Sequence, residues 1–127
     1  MLIDKKNKLN ELHPKLKNLL KWVAQNYDQD IILICGNRTK EDQQDCFNRG
    51  VSKVQFPNSK HNSFPSLAMD IAPMIDNKIP WNDITEFKRL VEFVKSLASG
   101  MNIDIRCGAD FQTLKDYPHI ELKGVNP

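Results

Sequence analysis

Histidine is scarce in this chain, and two of its three copies stand where an imidazole could do chemistry. His61 lies in Ser59-Lys60-His61-Asn62, a stretch of loop character. His119 opens the short run His119-Ile120-Glu121-Leu122, whose alternation puts Ile120 and Leu122 on a core face and His119 and Glu121 on the other. Asp70 lies between them in sequence, in an alternating segment from Leu67 to Ala72. Leu67, Met69 and Ile71 share one face of that segment; Ala68, Asp70 and Ala72 share the other. Alanines on both sides leave the carboxylate room for something that approaches closely. Two imidazoles and a carboxylate form a His2Asp donor set. Three nitrogen and oxygen ligands with one open position suit a catalytic zinc, because the fourth place holds the reactive water; structural zinc more often uses four ligands rich in cysteine. Polar residues satisfied by hydrogen bonds are the commoner reading of such a set, and spacing alone does not establish a metal site.

Asp116 precedes His119 by three residues, and Pro118 biases Tyr117 toward an extended conformation. A carboxylate on a turn just before a ligand can reach water at the metal without ligating it, the position of a general base. The alternative is an Asx-type turn with nearby backbone. His13, among lysines in the first helix, reads as a solvated or half-buried helix residue.

These side chains need a scaffold. Leu9, Leu12, Leu16, Leu19, Leu20 and Val23 recur at helical spacing, with Pro14 opening the well-formed part of a helix that runs to about residue 26. Ile31 to Cys35 is a short apolar run ended by Gly36, a buried strand. Residues 39 to 49 suit a helix, with Gly50 as its stop, and residues 51 to 66 have loop chemistry. The strand of Asp70 is expected to close at Pro73. Residues 83 to 99 form a helix with Asp83 and Glu86 at its start, a stripe of Phe87, Leu90, Val91, Val94, Leu97 and Ala98, and Gly100 at its end. Ile103, Ile105 and Cys107 alternate as another strand. Separate helices and short strands predict an α+β fold, a small antiparallel sheet with flanking helices. Trp22 and Trp81 are read as packing residues.

The chain has 127 residues, 40% hydrophobic and 27% charged, with a net charge of +2, which fits one soluble domain over residues 1–127 and excludes a membrane-spanning, collagen-like or disordered chain. Cys35, Cys46 and Cys107 are odd in number and lack CxxC spacing, so they read as reduced thiols in small apolar positions. The N-terminal MLIDKKNKLNEL carries no long apolar stretch, so the expectation is cytoplasmic synthesis without a secretory signal.

Ser59-Lys60-His61, followed by Ala68-Met69-Asp70-Ile71-Ala72-Pro73, resembles the S-x-H … A-x-D signature of the zinc DD-carboxypeptidase and L-alanyl-D-glutamate endopeptidase family, which includes VanX- and VanY-type enzymes and many phage endolysins. Asp116-Tyr117-Pro118-His119-Ile120-Glu121 resembles its second signature, an acidic residue three before the last ligand histidine. Gly36-Asn37-Arg38-Thr39, with Gln43, Phe47 and Gly50, is similar to an upstream segment of the endolysin-like branch. The three occur in family order across residues 36 to 121. Two departures stand out: the interval from His61 to Asp70 is longer than in the commonest form of the motif, and an aromatic-Gly-Gly segment is replaced by Cys107-Gly108-Ala109-Asp110-Phe111.

The resemblance implies a Hedgehog/DD-peptidase-like zinc peptidase fold, zinc (Zn2+) on His61, Asp70 and His119, Asp116 as catalytic acid/base, and Arg38 as a substrate-facing cation. Ser59 and Gln43 would be supporting residues that bind substrate near the pocket, and Glu121 either supports His119 or is strand surface. The implied substrate is the stem peptide of peptidoglycan, cut at the L-alanyl-D-glutamate bond, with removal of a terminal D-alanine as the alternative. A monomer acting on the cell wall after release or export is implied, with no nucleic acid and no membrane insertion. A non-catalytic wall-binding module on the same fold is a rival, as is a basic nucleic-acid binder resting on Lys5, Lys6, Lys8, Lys15, Lys17 and Lys21. The first would lack a competent base, and the second has no aromatic interleaving to support it.

Overall fold

Helix α1 (Pro14–Asn26) starts where the His13 Nδ1 accepts the Lys15 backbone N–H at 3.1 Å and Pro14 occupies the first turn. His13 is thus the cap of this helix rather than a residue within it. The apolar spacing upstream forms only a 3-10 turn, Leu9–Glu11. Helix α2 (Lys40–Asn48) is capped by Thr39, and α3 (Ile84–Gly100) by Asp83, whose side chain accepts the Glu86 N–H. Helix α3 ends at Gly100, but the left-handed conformation that turns the chain belongs to Asn102, at φ 57°. This computed structural model describes residues 1–113 and 115–125.

The strands are β1 (Leu2–Ile3), β2 (Asp30–Cys35), β3 (Ala68–Met74), β4 (Ile105–Cys107) and β5 (His119–Leu122), in the sheet order β1-β2-β3-β5-β4. The pairs β2–β3, β3–β5 and β4–β5 are antiparallel. The expected antiparallel sheet needs one correction: β1 pairs with β2 in parallel. Two residues carry too little alternation to be read as a strand.

Pro73 does not close β3, which pairs with β2 as far as Met74. The Ile71 N–H points toward β5, bonding to the Pro118 carbonyl at 3.0 Å. The Pro73 nitrogen faces the same side, beyond the residues that β5 pairs, so the strand loses no hydrogen bond there.

One face of the sheet carries the core. Ile31, Leu33, Leu67, Met69, Ile71, Ile120 and Leu122 pack there with Leu16, Leu19, Leu20 and Val23 of α1 and Leu90, Val91 and Val94 of α3. The opposite face carries Asp70 paired with His119, and Ala68 paired with Glu121. Both alanines beside Asp70 are fully buried. A register shift between Leu33 and Cys35 sets Cys35 opposite Asp70. Without it, Cys35 would share the core face of Ile31 and Leu33.

The two tryptophans are not buried: Trp22 is 54% exposed and Trp81 59%. Trp81 stacks on Phe87, with ring centroids 5.8 Å apart. Among the described residues, no helix is long and apolar enough to cross a membrane.

Candidate metal centre

Asp70 and His119 reach the site from adjacent strands. Their pairing across β3 and β5 sets the two side chains on one face. His61 arrives from the loop, in the 3-10 turn Lys60–Asn62. Ser59 caps this turn: its hydroxyl accepts the His61 N–H at 3.2 Å, and its own N–H donates to Asn62 Oδ1 at 3.0 Å. The Arg38 N–H donates to the His61 carbonyl at 2.7 Å, and Asn37 Nδ2 to the Ser63 carbonyl at 2.8 Å. The loop is thereby fastened to the end of β2, and His61 is only 2% exposed.

Three donor atoms meet in a nearly equilateral triangle. His61 Nε2 lies 3.3 Å from Asp70 Oδ1, His119 Nδ1 lies 3.4 Å from Asp70 Oδ1, and the two ring nitrogens are 3.3 Å apart. Tetrahedral ligands about 2.0–2.1 Å from an ion have edges of about 3.3–3.4 Å between them. Asp70 Oδ1 is buried and has no hydrogen-bond partner, an arrangement that is costly unless something else binds there. The outer nitrogens are already committed. His61 Nδ1 lies 2.8 Å from the Gly36 carbonyl oxygen, and His119 Nε2 lies 2.8 Å from Glu121 Oε1. Each partner holds a proton on the outer nitrogen and turns the inner lone pair toward the triangle. The donor set and its edges fit a tetrahedral divalent ion.

The charges agree with this geometry. Burial works against the charged form of Asp70, yet His61 and His119 hold its carboxyl well below the usual range. Burial would lower the His61 pKa, but Asp70 reverses this and raises it to about 10. His119 is raised in the same way, against burial, by the adjacent Asp70 carboxylate and by its bond to Glu121.

Asp116 stands at the rim. Its carboxylate lies within 4.8 Å of donor atoms of both Asp70 and His119. The turn before β5 is closed by backbone, the His119 N–H donating to the Asp116 carbonyl at 3.1 Å, so the carboxylate is not spent on making that turn. Desolvation, followed by the nearby Asp70 charge, raises its pKa.

Arg38 and Gln43 form a layer behind Asp70. Arg38 Nη2 lies 3.5 Å from Asp70 Oδ2, and Nη1 donates to Gln43 Oε1 at 3.0 Å. Gln43 is fully buried; its Nε2 donates to Ser52 Oγ at 2.8 Å and the Val54 carbonyl at 2.7 Å. Its polar atoms are thus spent on holding Arg38 and the loop.

Three features of the site are not visible in the sequence pattern. Cys35 Sγ lies 3.9 Å from His61 Nδ1, so this thiol borders the site rather than filling an apolar position. Lys60 Nζ lies 3.3 Å from Glu121 Oε2, tying the loop to the carboxylate behind His119. Phe111 packs on His119 with centroids 5.8 Å apart, and Arg106 lies over the Phe111 ring at 4.4 Å. An aromatic therefore does stand beside the last histidine, four residues after Cys107, where the family pattern has an aromatic.

Comparison with known proteins agrees with this architecture. The family model of the phage L-alanyl-D-glutamate peptidase matches residues 3–125. The L-alanyl-D-glutamate peptidase of Escherichia phage T5 is 28% identical over 120 residues, covering 94% of this chain and 86% of the relative. The peptidoglycan L-alanyl-D-glutamate endopeptidase CwlK of Bacillus subtilis is 28% identical over 132 residues, covering 89% of this chain and 74% of the relative. The crystal structure of the Serratia marcescens L-Ala D-Glu endopeptidase ChiX shares the fold, with a TM-score of 0.80 at 22% identity over 95% of this chain and 90% of that one. A site built from the same three segments as the sequence signatures, within a match that spans nearly the whole chain, leads to one conclusion: the chain belongs to the phage L-alanyl-D-glutamate peptidase family.

Proposed function

We propose that residues 1–127 act as one zinc peptidase domain that cleaves the L-alanyl-D-glutamate bond of the peptidoglycan stem peptide. The observation that carries this reading is the triangle of His61 Nε2, Asp70 Oδ1 and His119 Nδ1, with the Asp116 carboxylate within 4.8 Å of two of its members. Those three atoms would hold the zinc. When bound, zinc supplies Lewis acidity, which acidifies water and polarises the peptide carbonyl. Asp116 takes a proton from the attacking water as its oxygen bonds to the carbonyl carbon. It then delivers that proton to the departing amine as the C–N bond breaks, so the carboxylate is regenerated each cycle. Arg38 keeps Asp70 in place and adds positive charge to the site. A guanidinium also suits a substrate rich in carboxylates. Ser59 and Gln43 serve this site by fixing His61 and Arg38.

Digestion of purified peptidoglycan tests the reading. The expected product carries a new amino terminus on D-glutamate, and metal analysis should find about one zinc per chain. Release of free D-alanine instead would make the enzyme a carboxypeptidase, and no release at all would leave a wall-binding module.

Glu121 gives a graded check of the metal site. Glu121→Gln removes the charge that faces the outer nitrogen of His119 and also the carboxylate that pairs with Lys60, which keeps its bond to the Leu122 carbonyl. Zinc affinity is expected to fall about 10–100-fold, measured by competition with a chelator. Unchanged affinity would mean that Glu121 does not support metal binding through His119.

A further inference from the structure

The 3-10 turn Gly108–Asp110 leaves β4 and passes against the segment that carries Asp116. The Asp116 N–H donates to the Gly108 carbonyl at 3.0 Å. A Cβ placed on Gly108 would stand 1.9 Å from the Asp116 carbonyl oxygen, 2.8 Å from its carbonyl carbon and 3.0 Å from its Cβ. The two nearest atoms are backbone, so no side-chain rotation could relieve the clash. Gly108 is not among the glycines with positive φ, so its own conformation does not require glycine. What requires it is the close approach of Asp116. The carbonyl that a side chain would strike is also the one that accepts the His119 N–H at 3.1 Å. Lys115 Nζ adds bonds to the Ala109 and Phe111 carbonyls, each at 3.2 Å.

We infer that Gly108 is a positioning residue for Asp116: its bare Cα lets the Asp116 backbone dock on the turn after β4, and this contact sets where the carboxylate stands relative to His119 and Asp70. The inference rests on the reading of Asp116 as the proton-transfer group. A displacement of about 1 Å at such a group costs about 10²-fold in rate.

Gly108→Ala is the test. The expected result is a kcat lower by about 10²-fold, with KM and zinc stoichiometry unchanged. In an Asp116→Asn background the same substitution should change the rate by less than about threefold, since a residue acting through Asp116 has nothing left to act on. Hydrogen exchange supplies a readout independent of activity. The Asp116 and His119 amides should lose protection in Gly108→Ala while the amides of β2 and β3 keep theirs. A wild-type kcat in Gly108→Ala, or a full multiplicative loss in the double variant, would overturn the inference. If Asp116→Asn itself kept full activity, the reading of Asp116 would fail, and unchanged protection of the two amides would overturn the positioning contact as well. Should Gly108→Ala not fold, Lys115→Ala removes only the side-chain tie between the same segments. Its expected result is a several-fold loss in kcat at constant KM, and a full rate would count against the contact.

Discussion

Asp116→Asn is expected to retain the fold and one zinc per chain while losing hydrolysis by about 10²-fold or more. The three proposed zinc-binding atoms belong to other residues, so metal binding has no reason to change. The residue is exposed, and its turn is held by backbone bonds that an asparagine preserves. Stability should therefore move by no more than about 0.5 kcal/mol. What the amide cannot do is accept a proton from water and return it to an amine. Desolvation and the neighbouring Asp70 make the native carboxyl hold a proton more readily than a free aspartate, which favours the second half of that cycle. Metal analysis, a melting curve and a peptidoglycan digest of the same preparation decide the matter. A variant with full activity would remove Asp116 from the mechanism, and one that lost its zinc would make it a ligand.

The parts of this fold that could be read from the chain are those whose information is local. β5 occupies His119–Leu122, and its alternation correctly places His119 and Glu121 on the face away from Ile120 and Leu122. The stripe of α3 buries Phe87, Leu90, Val91, Val94 and Ala98, because a 3.6-residue period needs no knowledge of the partner. Asp70 shares the face of His119 because β3 also alternates. The unread parts depend on contacts between distant segments. Whether Pro73 ends a strand depends on how far β5 extends, and β5 begins only at His119, far along the chain. The bulge that turns Cys35 toward His61 leaves no mark in the apolar run Ile31–Cys35. Gln43 and Ser59 carry the polar groups expected near a pocket, yet their hydrogen bonds go to Arg38, Ser52, Val54, His61 and Asn62. Trp22 and Trp81 illustrate the same limit, since bulk and apolarity favour burial without dictating it. The family resemblance supplies what periodicity lacks, namely which distant segments share a site.

Asp70→Asn should have the deepest effect on the metal centre. It leaves the shape of the side chain but removes the only negative charge in the triangle. The expected loss in hydrolysis is about 10³-fold or more, since the charge stabilisation that a bound metal supplies is worth several kcal/mol. Chelation gives a second readout. Free zinc at about 100 times its dissociation constant stabilises a protein by about 2.7 kcal/mol, so a chelator should lower the melting temperature of the wild type and leave that of the variant nearly unchanged. The metal-free proteins should also differ in their response to pH. Asp70 raises the His61 pKa to about 10, above the value of about 6.5 for an unfolded histidine. The stability contributed by that pairing is therefore complete below about pH 6.5 and is lost as pH rises through about 10. With chelator present, the wild type should lose stability across this window relative to Asp70→Asn, in which a buried His61 without its carboxylate no longer binds the extra proton. Equal slopes in the two proteins would mean that His61 and Asp70 are not coupled, and the compact triangle proposed to hold zinc would lose its electrostatic basis.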